Sequence, residues 1–127
     1  MNLDVSRAAS WIKVNTGQLG YFRVKYDSKA LKQIGRDLQS NFSPEERCGL
    51  LDDIFALAYA NYTSYEDAFQ FALVMKRESH VVPWKCAENH LRRLLDLLNS
   101  ASPDAYGYYR VSRFHIYYFN CYLLRTY

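Results

Sequence analysis

Cysteine is scarce in this 127-residue chain: Cys48, Cys86 and Cys121 are odd in number, widely spaced and form no CxxC pair. A zinc knuckle and a complete disulfide framework are therefore excluded, and each thiol reads as a small buried hydrophobe. Only three prolines and five glycines are present, so the chain is neither a low-complexity linker nor a fibrous repeat. The first five residues, Met1 to Val5, include an acid and no apolar run, so they do not read as a signal peptide. The longest apolar-aromatic run, Phe114 to Leu124, is interrupted by His115 and Asn120. A spanning helix needs about 20 apolar residues, so no membrane segment is expected. The net charge is only +3, and Met1 to Asp104 carries 13 basic and 13 acidic residues. Without a basic stripe there is nothing to track a phosphate backbone, which argues against nucleic acid as a partner.

Hydrophobic residues make up 50%, which suits one folded unit of ordinary size. Trp11-Ile-Lys-Val-Asn15 and Tyr21-Phe-Arg-Val-Lys-Tyr26 alternate with period two, placing Ile12 and Val14, then Phe22, Val24 and Tyr26, on common faces. The pattern predicts a β-hairpin whose connection uses Gly17 and Gly20 at positive φ. From Ser28 the period becomes helical. Leu31, Ile34 and Leu38 form a first stripe, ending at Ser40-Asn41. Ser43-Pro44-Glu45-Glu46 is a capping start for a second helix with the seam Leu51, Ile54, Phe55 and Ala58. Ser64 caps a third, with Glu66 and Asp67 in its first turn and Lys76-Arg77 in its last. Pro83 opens a fourth, with the seam Trp84, Ala87, Leu91, Leu94, Leu95 and Leu98 and the four-apart pairs Glu88–Arg92 and Arg92–Asp96. The expected fold is mainly α, as a bundle or an antiparallel helical-repeat array. Residues 105–127, with seven tyrosines and no acid, take no assignment.

A two-stranded ribbon is marginal in water and needs a further strand or a covering layer. The hairpin therefore reads as the last pair of strands of a sheet whose other strands are not in this chain, and the chain as a boundary fragment. The alternative is a small α+β domain in which the hairpin packs on its own helices.

Chemistry is sparse. His80, His90 and His115 offer no two imidazoles one helical turn apart, so a zinc site cannot be read from the sequence. Asp52 and Asp53 are neighbours on a helix, about 100° apart, and read as polar-face or interdomain salt-bridge groups instead of a proton-sharing dyad. Phosphate loops, dinucleotide fingerprints and GxSxG are missing. Catalytic, cofactor-binding and metal-ligating residues are accordingly expected to be none. Two sequons, Asn41-Phe-Ser43 and Asn61-Tyr-Thr63, fall between helices and lean toward a membrane or extracellular location.

Trp11-Ile-Lys-Val-Asn15, Gly20-Tyr-Phe-Arg-Val-Lys-Tyr-Asp27, Leu50-Leu-Asp-Asp-Ile-Phe-Ala-Leu-Ala58, Tyr65-Glu-Asp-Ala68 and Val82-Pro-Trp84 resemble, in order and spacing, the aminopeptidase N family of zinc metallopeptidases. The likeness covers residues 11 to 109 and fades over 111–127. It implies that residues 1–27 close a β-sandwich domain and 28–127 begin the helical C-terminal domain, with the boundary at Tyr26-Asp27-Ser28. Enzymes of the family remove N-terminal residues from peptides with a zinc held by HExxH and a later glutamate, and grip the substrate amine with a GxMEN-type motif. None of these motifs occurs here. The resemblance thus implies a non-catalytic piece supplying wall and hinge of a peptide chamber, whose zinc, catalytic domain and β-sandwich domain belong to the longer enzyme. A free-standing helical module binding peptides or a partner protein is the alternative. Family members occur at the plasma membrane, in the secretory pathway and in the cytoplasm.

Overall fold

The computed structural model of the chain describes residues 12–102 and 104. Five helices follow one another: α1 (Ser28–Arg36), α2 (Leu38–Asn41), α3 (Pro44–Tyr59), α4 (Tyr65–Ala72) and α5 (Val81–Ala101). Short 3-10 turns lie at Thr16–Gln18 and Leu73–Arg77. Helix accounts for 73% of the structure, and no strand occurs among the described residues. The chain divides into two compact units, Met1–Ala87 and Glu88–Tyr127, the boundary falling within α5.

The helices α1, α3 and α4 each start where a side chain satisfies a free backbone N–H. The Asp27 carboxylate accepts from Ala30 N at 2.7 Å, opening α1. At α3, Ser43 Oγ accepts from Glu46 N at 3.3 Å while Glu46 Oε2 accepts from Ser43 N at 3.2 Å, the reciprocal box expected from the sequence. Ser64 Oγ accepts from Asp67 N at 3.0 Å to open α4. Ser43→Ala removes half of the α3 box and should lower stability by about 1 kcal/mol, read as a drop in urea midpoint with unchanged slope.

Three boundaries differ from the pattern. The first stripe is divided at Asp37, whose φ of −100° and ψ of 7° break the helix while its N–H bonds Ile34 O at 3.2 Å. Leu31, Ile34 and Leu38 remain on one buried face across the break. The third helix gives way at Leu73 to the 3-10 turn that carries Lys76 and Arg77. The fourth begins at Val81, two residues ahead of the buried Pro83 in its first turn.

The core of the first unit joins the α1–α2 stripe to α3 and α4. Ile34, Leu51 and Ala68 have no exposed surface, and Phe55 stands edge-on to Phe69 with ring centroids 6.2 Å apart and planes at 81°. α4 packs against both α1 and α3. In the second unit, Leu94 and Leu95 are buried and the Arg92 guanidinium meets Glu88 at 2.8 Å, one turn away.

The expected hairpin is not present among the described residues. The chain reverses at Asn15 (φ 58°), Gly17 (φ 72°) and Gln18 (φ 56°), so the left-handed positions are these three, and Gly20 is not one of them. The Asn15 amide replaces the backbone ladder: its Nδ2 donates to Gly20 O at 3.1 Å and Phe22 O at 3.3 Å, and its Oδ1 accepts from Gly20 N at 2.7 Å. Period-two alternation favours extended backbone, but pairing needs a neighbouring strand or cover, and Ile12, Val14, Leu19, Tyr21 and Phe22 stand exposed. Trp11 lies outside the described residues, as do His115, Cys121 and the aromatic run after residue 105.

Candidate functional site

The segment before α1 is fastened to α3 by charge. Arg23 Nη1 reaches Asp52 Oδ2 at 2.6 Å and Asp53 Oδ1 at 3.1 Å, and Asp53 Oδ2 accepts from Val24 N at 3.2 Å. Asp52 and Asp53 are therefore salt-bridge groups, as their adjacency on a helix predicts. Burial pushes the Asp53 carboxyl above its ordinary value, against the opposing pull of Val24 N–H and Arg23. The Asp52 hydrogen bond in turn raises the Arg23 guanidinium. Lys13 Nζ meets Glu46 Oε1 at 3.3 Å, and Tyr26 Oη accepts from Val14 N at 2.9 Å. Gly49 leaves room on α3 for the Gln18 side chain, which lies where a Cβ would stand. These contacts hold the segment before α1 in place.

A second charged pair is buried. Arg47 of α3 reaches Glu78 through Nε–Oε2 at 2.6 Å and Nη2–Oε1 at 2.9 Å, and its Nη1 donates to Phe42 O at 2.6 Å. Glu78 Oε1 also accepts from Ser79 N and His80 N, while Trp84 Nε1 donates to Glu78 O at 3.1 Å. These contacts anchor the connection into α5 to α3. Burial alone would raise the Glu78 carboxyl, but Arg47 and the two N–H groups bring it below the ordinary carboxylate value.

Cys86 is buried and its thiol donates to Cys48 O at 3.3 Å; burial, with Cys48 beside it, pushes this thiol above its ordinary value. His80 Nδ1 accepts from Val82 N at 3.2 Å, capping the start of α5. His90 lies on α5 in the second unit. Ser43 and Ser64 are caps. The zinc of the resembling family needs HExxH and a later glutamate, and that donor set is not in this sequence. Asn41 and Asn61 are both exposed, Asn61 in a left-handed turn at φ 62°.

One feature was not singled out from the sequence. A groove of about 880 Å³ runs between α1, α4 and the 3-10 turn after it. Leu31, Phe71 and Val74 line it together with Lys32, Arg36, Lys76 and Arg77, against the carboxylates of Glu66 and Asp67. Asp67 is already engaged: it accepts from Ser28 Oγ and Ser64 Oγ, both at 2.8 Å, and the Ser28 bond is the first of the causes that lower its carboxyl. Among the described residues none of the four cations forms an ion pair. The available signal was the four-residue spacing of Lys32 and Arg36, which puts both on one helix face.

Fold and site together define a helical domain fastened by salt bridges to the segment that precedes it. Residues 11–115 match the ERAP1-like C-terminal domain, and the chain belongs to that family, the C-terminal domain of the aminopeptidase N enzymes. Among curated proteins it is 36% identical over 81 residues to glutamyl aminopeptidase of Bitis rhinoceros, covering 61% of this chain and 8% of that one. Against glutamyl aminopeptidase of Sus scrofa it is 33% identical over 88 residues, 67% of this chain and 9% of that one. The thyrotropin-releasing hormone-degrading ectoenzyme of Rattus norvegicus is 36% identical over 93 residues, 71% and 9% respectively. The chain thus spans less than a tenth of the length of these relatives. No solved structure matches it significantly.

Proposed function

We propose that this chain is a non-catalytic portion of a zinc-dependent aminopeptidase, forming wall and hinge of the chamber in which peptides lose their N-terminal residues. The observation that carries the reading is the match of residues 11–115 to the C-terminal domain family, together with the absence of HExxH from the sequence. The Arg23–Asp52–Asp53 contact supports it, because it joins two of the motifs by which the chain resembles the family. Residues 1–27 would complete a β-sandwich when its other strands are alongside, and 28–127 would begin an antiparallel helical-repeat domain. Zinc, catalytic groups and substrate amine recognition would come from the rest of the enzyme. The exposed sequon residues Asn41 and Asn61 support passage through the secretory pathway; no helix among the described residues is long and apolar enough to cross a membrane.

Two measurements on the purified chain test this. Incubation with an aminoacyl-p-nitroanilide and zinc should give no turnover above the protein-free rate, and chelator-sensitive turnover would overturn the non-catalytic assignment. A glutamyl aminopeptidase lacking its own helical domain should bind the chain saturably. Failure to bind, with the chain folded by circular dichroism, would count against a wall-and-hinge role and favour a free-standing module.

A further inference from the structure

We infer that the groove between α1, α4 and the Leu73–Arg77 turn is a docking site for a short acidic peptide with an apolar centre. The inference stands on this chain's own surface and does not depend on the aminopeptidase assignment.

Charge complementarity selects the occupant. Lys32, Arg36, Lys76 and Arg77 come from two separate elements and converge on one groove, although the first 104 residues of the chain are electrically balanced. Opposing them are Glu66 and Asp67, and Asp67 is held by two serine hydroxyls and so is partly committed to fastening α1 to α4. The groove is therefore a local positive site on a neutral body, which concentrates anions. Its floor explains why a simple anion is not the best fit. Leu31 and Phe71 are core residues and Leu73 is 46% exposed beside the cations, so an occupant gains by bringing apolar side chains as well as negative charge. Size suits a short segment, since about 880 Å³ lies within the range of clefts that enclose small ligands. A peptide presenting carboxylates on both sides of a Leu-Phe pair meets all three conditions.

The probe is the blocked peptide Ac-Glu-Glu-Leu-Phe-Glu-Glu-amide, titrated calorimetrically into the full chain. Since it has no free amine, binding is read apart from any peptidase activity, and failure here would leave the proposed function untouched. The expected result is saturable one-to-one binding, weakened about tenfold or more when salt is raised several-fold, because the contacts are surface charges. Lys32→Glu combined with Arg77→Glu should abolish saturation. Both side chains are exposed, so far-UV circular dichroism and the urea midpoint should stay close to those of the parent. Lys25→Glu, an exposed charge change outside the groove, should leave affinity within about twofold, since a distant screened charge contributes little. The inference is overturned if the peptide does not saturate, if Ac-Lys-Lys-Leu-Phe-Lys-Lys-amide binds equally well, or if Lys25→Glu weakens binding as much as the groove variant. It also fails if inorganic hexametaphosphate binds as tightly with no contribution from the Leu-Phe pair, or if sedimentation shows that the groove charges instead mediate salt-dependent pairing of two copies of the chain.

Discussion

Replacing Arg47 with Met lowers the stability of the chain by about 3–5 kcal/mol, the cost of leaving a buried carboxylate without its cation. The side chains of Arg47 and Glu78 are 9% and 2% exposed, so water cannot take over the lost contacts. The loss is a large part of the roughly 5–15 kcal/mol that a domain of this size commands, and the urea midpoint should fall accordingly. Glu78→Gln removes the charge while keeping the shape, and should cost less than Arg47→Met because two backbone N–H groups still find an acceptor. The double change Arg47→Met, Glu78→Leu should recover only part of the stability. An apolar pair would be close to neutral in place of an isolated ion pair, but here Phe42 O would lose the Arg47 donor and the Ser79 and His80 N–H groups their Glu78 acceptor.

The same pair contributes to the acid side of the stability profile, beside Glu46 and Asp67, whose carboxyls are also held low. Glu78 is held below its unfolded value in the folded chain, so the folded state favours the ionised form. Its contribution is complete above the unfolded carboxylate value, about 4.3, and is lost as pH falls through the lower folded value. Asp53 acts in the opposite sense. Its folded value is raised by burial, so folding is slightly penalised above that value, and the penalty disappears as pH falls to the unfolded value. Unfolding followed between pH 3 and 7 should show the parent losing stability toward acid, and Glu78→Gln should flatten that slope. An unchanged slope in Glu78→Gln would mean that Glu78 is not the responsible group.

Phe55→Ala is expected to cost about 3–5 kcal/mol, through lost burial together with the cavity left behind. Phe55 is 2% exposed and sits where α3 meets α4, edge-on to Phe69. Phe55→Leu, which keeps most of the volume, should cost less than half as much. If both substitutions lowered the urea midpoint equally, the aromatic contact with Phe69 would outweigh volume. If neither did, this interface would not form part of the cooperative core.

How much of this was legible beforehand differs from element to element. The caps at Ser43 and Ser64 could be read directly, because a cap is decided within four residues and needs nothing distant. The α3 seam of Leu51, Ile54, Phe55 and Ala58 was equally plain, since helical period and burial coincide there. The break at Asp37 and the 3-10 turn at Leu73 were not, because the apolar stripe runs through both. The groove was hidden for a related reason: Lys32 and Arg36 read as a solvated helix face, and Lys76 and Arg77 as dipole partners, until folding brought them together.

The amino-acid order by itself determined where helices begin, which faces are apolar, that HExxH is missing and which family the chain resembles. All of these are local in the chain or follow from residue identity. Tertiary structure alone decided that Arg47 would find Glu78, that Arg23 would clasp Asp52 and Asp53, and that residues 12–26 would be held by Asn15 and side-chain contacts instead of a strand ladder. Alternation makes a segment extended but cannot supply the strand beside it, and a charge thirty residues away becomes a partner only when packing brings the two side chains together.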